Sequence, residues 1–232
     1  MHSALLPPDC LRSVTRHICD TSHYTTSTMQ LTPINAPPLP EASTNPTFHV
    51  TATPGTDLWR KPPTTDVYNA PCYVAYFPAA KFQRARVTVH ADWARQYDQG
   101  GLVLFLPAWP ARKLWVKSGI EFVDGKPCVS TVGARDAADW SLLPESGGAT
   151  SITLEIEREV VNAKEGTGSS LWVYLVKGEE RIALREMSWV FKEEADLAGL
   201  ISVGLYAARP TKLKPDDNEV LNVSFDDLSI QY

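Results

Sequence analysis

The stretch Ser151-Ile152-Thr153-Leu154-Glu155-Ile156-Glu157 alternates polar and apolar residues without a break. Successive side chains of a β-strand point to opposite faces, so this alternation predicts a strand with one face in a core and the other in water. A second stretch, Val103-Leu104-Phe105-Leu106, is apolar throughout, which indicates a strand covered on both faces. Both kinds of strand are therefore expected in this chain.

Similar β-rich runs follow one another from residue 48 to the C-terminus, separated by turns rich in proline and glycine. Many antiparallel strands bury their apolar faces by packing sheet on sheet. We therefore predict an all-β fold, a jelly-roll β-sandwich of two antiparallel sheets. The predicted strands, about eleven, are Phe48–Thr53, Cys72–Phe77, Ala85–Ala91, Gly101–Leu106, Leu114–Phe122, Cys128–Val132, Ser151–Ile156, Leu171–Lys177, Ile182–Phe191, Leu200–Ala207 and Val220–Gln231.

The chain that precedes these runs is rich in proline and threonine and contains Pro37-Pro38 and Pro40. This composition resists regular structure. We predict a disordered, flexible tail over residues 1–45 and a β-sandwich domain over residues 46–232. A single helical turn is expected at Lys192–Ala198, where Glu193, Glu194 and Ala195 have helix propensity.

Composition excludes several functional classes. Of the 232 residues, 44% are hydrophobic and 21% are charged, as in an ordinary globular protein. The net charge of −5 leaves no basic surplus for a phosphate backbone, so a nucleic-acid partner is not expected. No apolar run approaches the roughly 20 residues that cross a bilayer, so no membrane partner is predicted.

Neither a metal nor a cofactor is predicted. The four cysteines, Cys10, Cys19, Cys72 and Cys128, lie scattered without metal-ligand spacing or a disulfide framework. Gly166-Thr167-Gly168-Ser169 lacks the lysine of a phosphate-binding loop. The apolar run before Pro7-Pro8 is too short for a signal peptide, so a cytoplasmic location is expected.

The most informative candidate site lies in the predicted strand Leu114–Phe122. Strand alternation places Trp115, Lys117 and Glu121 in one row on one face. Such a row could stack a flat ring on the indole and bind its substituents through the two charges. The same charges could also lie on a solvated face and merely pair with neighbours.

Two further segments could contribute to a groove beside this row. Tyr97-Asp98-Gln99-Gly100-Gly101 has the composition of a turn or bulge, and Asp98 and Gln99 could either cap that turn or reach a ligand. If the segment lies beside the row, Asp98 and Glu121 would form a pair of carboxylates suited to acid/base work. In Asp139-Trp140-Ser141, the indole of Trp140 could cover a core or line the groove.

Six segments of the chain together resemble a known family. They are Thr56-Asp57-Leu58-Trp59, Tyr97-Asp98-Gln99-Gly100-Gly101-Leu102, Trp115-Val116-Lys117-Ser118-Gly119-Ile120-Glu121-Phe122, Val129-Ser130-Thr131-Val132, Asp139-Trp140-Ser141 and Val203-Gly204-Leu205-Tyr206-Ala207-Ala208-Arg209-Pro210. They occur in the order found in the regulation-of-enolase family, which the chain resembles from about Phe48 to its C-terminus. The resemblance implies a fungal or bacterial protein of the concanavalin A-like lectin and glucanase superfamily. That superfamily includes lectins, glycan-cleaving enzymes and structural modules, so the fold does not choose between functions.

Two functional hypotheses follow. In the first, a concave groove binds a carbohydrate or another ring-bearing metabolite without catalysis, and the family resemblance implies a regulatory role. Its predicted ligand-binding residues are Trp115, Tyr97, Gln99, Trp140 and Asp139, with Asp98, Lys117 and Glu121 fixing orientation.

In the second hypothesis the protein is an enzyme. Glu121 or Asp98 is the general base and Lys117 is its electrostatic partner. The reaction would isomerise or cyclise a small intermediate of fungal secondary metabolism or, less favoured, cleave a glycan. A protein-interaction scaffold stays open as a third function, and the oligomeric state is not predicted.

Overall fold

The computed structural model describes residues 30–39, 47–107, 113–144, 148–162, 166–192 and 199–232. Within these ranges the regular structure consists of β-strands and one short 3-10 turn at Ala79–Lys81. The strands are β1 (Thr32–Ile34), β2 (Phe48–Ala52), β3 (Leu58–Lys61), β4 (Thr65–Tyr68), β5 (Cys72–Pro78), β6 (Arg84–Ala91), β7 (Gln99–Phe105), β8 (Trp115–Val123), β9 (Lys126–Ala134), β10 (Ala138–Pro144), β11 (Ser151–Asn162), β12 (Gly166–Lys177), β13 (Glu180–Met187), β14 (Leu200–Ala208) and β15 (Leu221–Gln231).

Two large antiparallel sheets form the domain. One has seven strands in the order β1-β5-β14-β7-β8-β9-β10, and the other has six in the order β13-β12-β11-β6-β15-β2. Strands β3 and β4 form a separate two-stranded hairpin. The prediction of an all-β sandwich of two antiparallel sheets is therefore confirmed.

The main core lies between the two large sheets. Ile152, Leu154 and Ile156 of β11 point into it, as their alternation with polar residues predicts. They meet Leu104 of β7 and Ile120 of β8 from the opposite sheet in one buried cluster. This packing fixes the face of each strand that points away from the core.

The outward face of the seven-stranded sheet is also partly covered. Leu58, at the start of the β3–β4 hairpin, packs over it in a second buried cluster with Val103, Trp115 and Tyr206. Every residue of β7 is consequently buried, which confirms the prediction of a strand covered on both faces. We call this side of the sheet the outer face.

Each of the predicted strands is present with shifted ends, and four further strands, β1, β3, β4 and β10, were not predicted. Strand β1 falls inside the predicted tail, and the structure differs from that expectation because Thr32–Ile34 pairs with β5. Residues 1–29 and 40–45 lie outside the described residues, as does the helical turn expected at Lys192–Ala198 after its first residue. Over the described ranges, no helix has the length and apolarity that crossing a bilayer requires.

Candidate functional site

Strand β8 places the candidate row on the outer face. Val116 and Ile120 point into the core between the sheets, so Trp115, Lys117 and Glu121 point away from it. Glu121 lies directly across from Gln99 of β7. Val132 of β9 lies directly across from Lys117, and Trp140 of β10 lies directly across from Val132. Antiparallel register therefore gathers residues from three separate segments on one face.

A cavity of about 320 Å³ opens on this face. Its lining combines three aromatic rings with charged and polar groups. The lining residues are Asp57, Trp59, Tyr97, Gln99, Lys117, Glu121, Trp140 and Pro210. A space of this size lies at the lower end of small-molecule sites, which commonly measure about 300–1,000 Å³.

Three aromatic rings form one wall of the cavity. The Trp140 ring stands edge-on to that of Trp59, with centroids 5.8 Å apart and an interplanar angle of 82°. It is also nearly perpendicular to the Tyr97 ring, at 6.3 Å and 69°. We call these three side chains the aromatic corner. Tyr97 holds a left-handed φ of 70°, a conformation that is uncommon outside glycine and costs backbone energy.

Glu121 is the buried carboxylate of the cavity. Its Oε2 accepts hydrogen bonds from the Ser130 hydroxyl at 2.7 Å and from the Trp140 indole N–H at 3.1 Å. Burial raises the pKa of the Glu121 carboxyl, an effect opposed by the nearby charge of Lys117 and by these two hydrogen bonds. The group therefore keeps its proton to a higher pH than an exposed glutamate.

Lys117 forms the floor of the cavity. Its Nζ donates to Gln99 Oε1 at 2.6 Å and lies 3.4 Å from Asp57 Oδ1. The ammonium is thus held by a neutral amide and a carboxylate within the site itself. The Tyr206 ring lies beneath it, 5.9 Å from Nζ.

Trp115 differs from its predicted role. Its side chain is fully buried in the outer-face cluster and does not line the cavity. Its ring lies 5.7 Å from Lys117 Nζ, so it supports the floor from the side. A ligand inside the cavity has no access to this indole.

Asp98 also differs from its predicted role. It is fully buried and forms a two-point ion pair with Arg209, with both distances 2.8 Å. It also accepts hydrogen bonds from the backbone N–H groups of Ala94 and Arg95. Asp98 therefore stabilises the turn before β7, and the expected Asp98–Glu121 pair is absent from the cavity lining, where Asp57 is the second carboxylate.

Asp139 points away from the cavity because it alternates with Trp140 along β10. It pairs across the strand with Gly133 and binds Arg185 of β13 through an ion pair. Of the predicted site residues, the structure thus brings together Tyr97, Gln99, Lys117, Glu121 and Trp140. Trp115, Asp98 and Asp139 lie outside the lining.

Sequence reasoning missed Asp57, Trp59, Ser130 and Pro210. The first two belong to a short segment that carries no strong strand pattern, although Thr56-Asp57-Leu58-Trp59 was one of the six segments of the resemblance. Ser130 alternates with Val129 in β9, so its face could have been derived once that strand was placed beside β8. Within the described ranges, no group of three or more His, Cys, Asp or Glu side chains is arranged to hold a metal ion.

Comparison with known proteins places this chain within a family. The fold is that of jelly-roll β-sandwich proteins. A family model described as "Protein of unknown function (DUF1349)" matches residues 34–232, and the chain belongs to that family. The resemblance to the regulation-of-enolase family stays a prediction.

A relative from Emericella nidulans, the uncharacterized protein AN7484, is 44% identical over 184 residues, which cover 79% of this chain and 86% of that protein. A crystal structure of a functionally unknown protein from Saccharomyces cerevisiae matches with a TM-score of 0.67 at 20% identity, covering 87% of this chain and 96% of that one. A xylan β-1,4-xylosidase from Bacillus halodurans matches with a TM-score of 0.56 at 11% identity. That match covers 79% of this chain but 33% of the xylosidase, and at these identities both structures show the fold alone.

Proposed function

We propose that the protein binds a small ring-bearing polar molecule, a carbohydrate or a metabolite of similar size, in the outer-face cavity. The observation that carries this proposal is the combination of the aromatic corner with Glu121, Lys117 and Asp57 in one cavity of about 320 Å³. Aromatic walls with a few convergent polar groups are typical of small-molecule sites. A regulatory role in the cytoplasm, as the sequence resemblance implies, is part of the same proposal.

The carbohydrate class is included because ring faces and hydrogen-bonding groups are the two elements that recognise a sugar. The fold shared with the xylosidase is compatible with this class. The small volume favours a single sugar unit or a compact metabolite over a polymer.

The experiment is a titration of intrinsic tryptophan fluorescence against a panel of monosaccharides, amino sugars and small ring metabolites. We expect a saturable change with at least one compound, and we expect Trp59→Ala to weaken that binding about tenfold or more because it removes one ring of the corner. Trp172→Ala is the matched control, because Trp172 is also half-buried but lies on the six-stranded sheet. Undiminished binding by Trp59→Ala, or equal losses in the two variants, would contradict the proposed location.

A second function, acid/base catalysis in the same cavity, is favoured by one observation. Burial raises the pKa of Glu121, as in the general acids and bases of many enzymes. The candidate reactions are the isomerisation or cyclisation of a bound metabolite and, less favoured, the cleavage of a glycan. A compound that binds and is converted by the unmodified protein, but only bound by Glu121→Gln, would establish catalysis; equal conversion by both proteins would exclude Glu121 from it.

A further inference from the structure

The charges in the cavity do not balance. Asp57 and Glu121 contribute two carboxyl groups, while Lys117 contributes one ammonium. The ammonium faces Asp57 at 3.4 Å, and its 2.6 Å hydrogen bond goes to Gln99. Lys117 also acts on Glu121 through its charge, so one ammonium is shared between two carboxyl groups and the cavity has one acidic group in excess. An anionic ligand would therefore be repelled, and a cationic ligand would be attracted.

The aromatic corner has the wrong shape for a flat stacking platform. A sugar stacks on a ring whose open face is broad and flat, whereas here the Trp140 ring lies at 82° to Trp59 and at 69° to Tyr97. Rings set nearly at right angles enclose a rounded group from several sides. Ring faces attract a cation that lies within about 6 Å of their centres.

Only one of the two Glu121 oxygens accepts hydrogen bonds from the described residues. Its Oε2 is taken up by Ser130 and Trp140. Among the described residues, no hydrogen bond reaches its Oε1, and the side chain lines the cavity. The indole that donates to Oε2 belongs to the aromatic corner, so a group enclosed by the corner lies beside the Glu121 carboxyl.

We propose that the bound molecule presents a protonated or quaternary amine to the aromatic corner and to the Glu121 carboxylate. This inference rests on the proposed function. The ligand class is thus an organic amine, such as an amino sugar or an N-methylated metabolite. This proposal is narrower than small-molecule binding, because it excludes neutral sugars and anions as the preferred ligands.

The experiment compares matched pairs by isothermal titration calorimetry on the unmodified full chain near neutral pH. Choline is compared with its neutral isostere 3,3-dimethylbutan-1-ol, and glucosamine is compared with glucose. We expect the charged member of at least one pair to bind about tenfold more tightly or better, the range that ring faces and a desolvated carboxylate provide.

A variant then tests the role of the carboxylate. Glu121→Gln keeps the size and one acceptor of the side chain but removes its charge, and it should reduce the preference for the amine severalfold. Glu180→Gln, at an exposed position on β13, is the control and should leave the preference unchanged.

The outcomes separate the two proposals. If neutral members bind as tightly as their charged counterparts, the amine proposal is wrong and small-molecule binding stands. If anions such as glucuronate bind best, the amine proposal is equally wrong. If none of these compounds nor any of the fluorescence panel binds at millimolar concentration, both proposals fail.

Discussion

Glu121 illustrates how the site depends on single residues. A carboxyl that is 5% exposed loses most of its hydration, which favours the protonated form. Ser130 and Trp140 recover part of that loss through hydrogen bonds to one oxygen. The sequence placed Glu121 beside Lys117 by strand alternation, but its burial depends on β9 and β10, which lie beside it only in the folded protein.

The raised pKa of Glu121 predicts a pH-dependent stability. The folded protein binds this proton more tightly than the unfolded chain does, so the stabilisation is fully present below the ordinary glutamate pKa and is lost as pH rises through the raised pKa. The titratable groups that face Glu121 are Asp57, Lys117, Cys128, Tyr97 and Tyr206. The glutamine of Glu121→Gln has no proton to lose. The free energy of unfolding of this variant, relative to the unmodified protein, should therefore rise with pH between the ordinary glutamate pKa and the raised pKa of Glu121.

The measurement is urea unfolding of both proteins at several pH values between 4 and 9, with Glu180→Gln as the exposed control. If the free energies of unfolding of Glu121→Gln and the unmodified protein differ by the same amount at every pH, burial does not raise the pKa of Glu121.

Asp98 gives a second prediction at the residue scale. Asp98→Asn leaves the buried guanidinium of Arg209 without its charged partner, and we expect a loss of about 3–5 kcal/mol in the free energy of unfolding. The folded fraction should bind cavity ligands with unchanged affinity, because Asp98 does not line the cavity. Urea unfolding and calorimetry measure the two quantities. Unchanged stability with lost binding would instead return Asp98 to the functional site.

At the scale of elements, strands β7 and β8 meet through a pair of glycines. Gly101 lies directly across from Gly119. A Cβ built on Gly119 would lie 1.9 Å from the carbonyl oxygen of Gly100, so no larger residue fits without moving a strand. The close approach of these two strands holds Gln99 and Glu121 opposite one another at the cavity.

Gly119→Ala should therefore destabilise the domain by about 1–3 kcal/mol or more, because backbone rather than a flexible side chain must move. The matched control is Gly168→Ala on β12, where the added carbon meets only the end of the Glu159 side chain. Thermal and urea unfolding measure both variants. Equal losses in the two would contradict a special role for the β7–β8 contact.

Two of the four strands that the sequence failed to predict, β3 and β10, complete the cavity. Strand β10 ends in a proline, is mostly exposed and contains the turn-like Asp139-Trp140-Ser141, so only its pairing with β9 makes it a strand. Strand β3 spans Leu58–Lys61 and is stabilised by β4 and by burial of Leu58. Short edge elements of this kind follow tertiary contacts rather than local propensity. The sequence alone therefore could not establish that the side chains of Trp140 and Trp59 point into the cavity.

For the whole molecule, the architecture could be read from periodicity. Alternation in β11 predicted one face in the core and one in water, and the apolar run in β7 predicted two covered faces. The core face of β11 and both faces of β7 agree with the sandwich, whereas Glu155, on the face of β11 expected in water, is buried and pairs with Arg181. The pairing order of the strands was not predictable in the same way. Lys117 and Glu121 were placed together within one strand, whereas Asp57 and Trp59 reach them from about 60 positions earlier through the hairpin that covers the outer face.

The site is thus a property of the complete sandwich with its hairpin, and binding should be detected at one place in it. The chain contains seven tryptophans, whose indole N–H groups report separate locations by nuclear magnetic resonance. Trp59 and Trp140 line the cavity, while Trp172 lies on the other sheet beside Tyr174.

The most direct test of a ligand site at the outer-face cavity is a titration of the ¹⁵N-labelled protein with choline and with glucosamine, followed through these indole signals. We predict that the largest saturable shifts belong to Trp140 and Trp59, and that the Trp172 signal stays in place. Shifts centred on Trp172, or no shift of Trp140 and Trp59 with a compound that calorimetry shows to bind, would contradict the account.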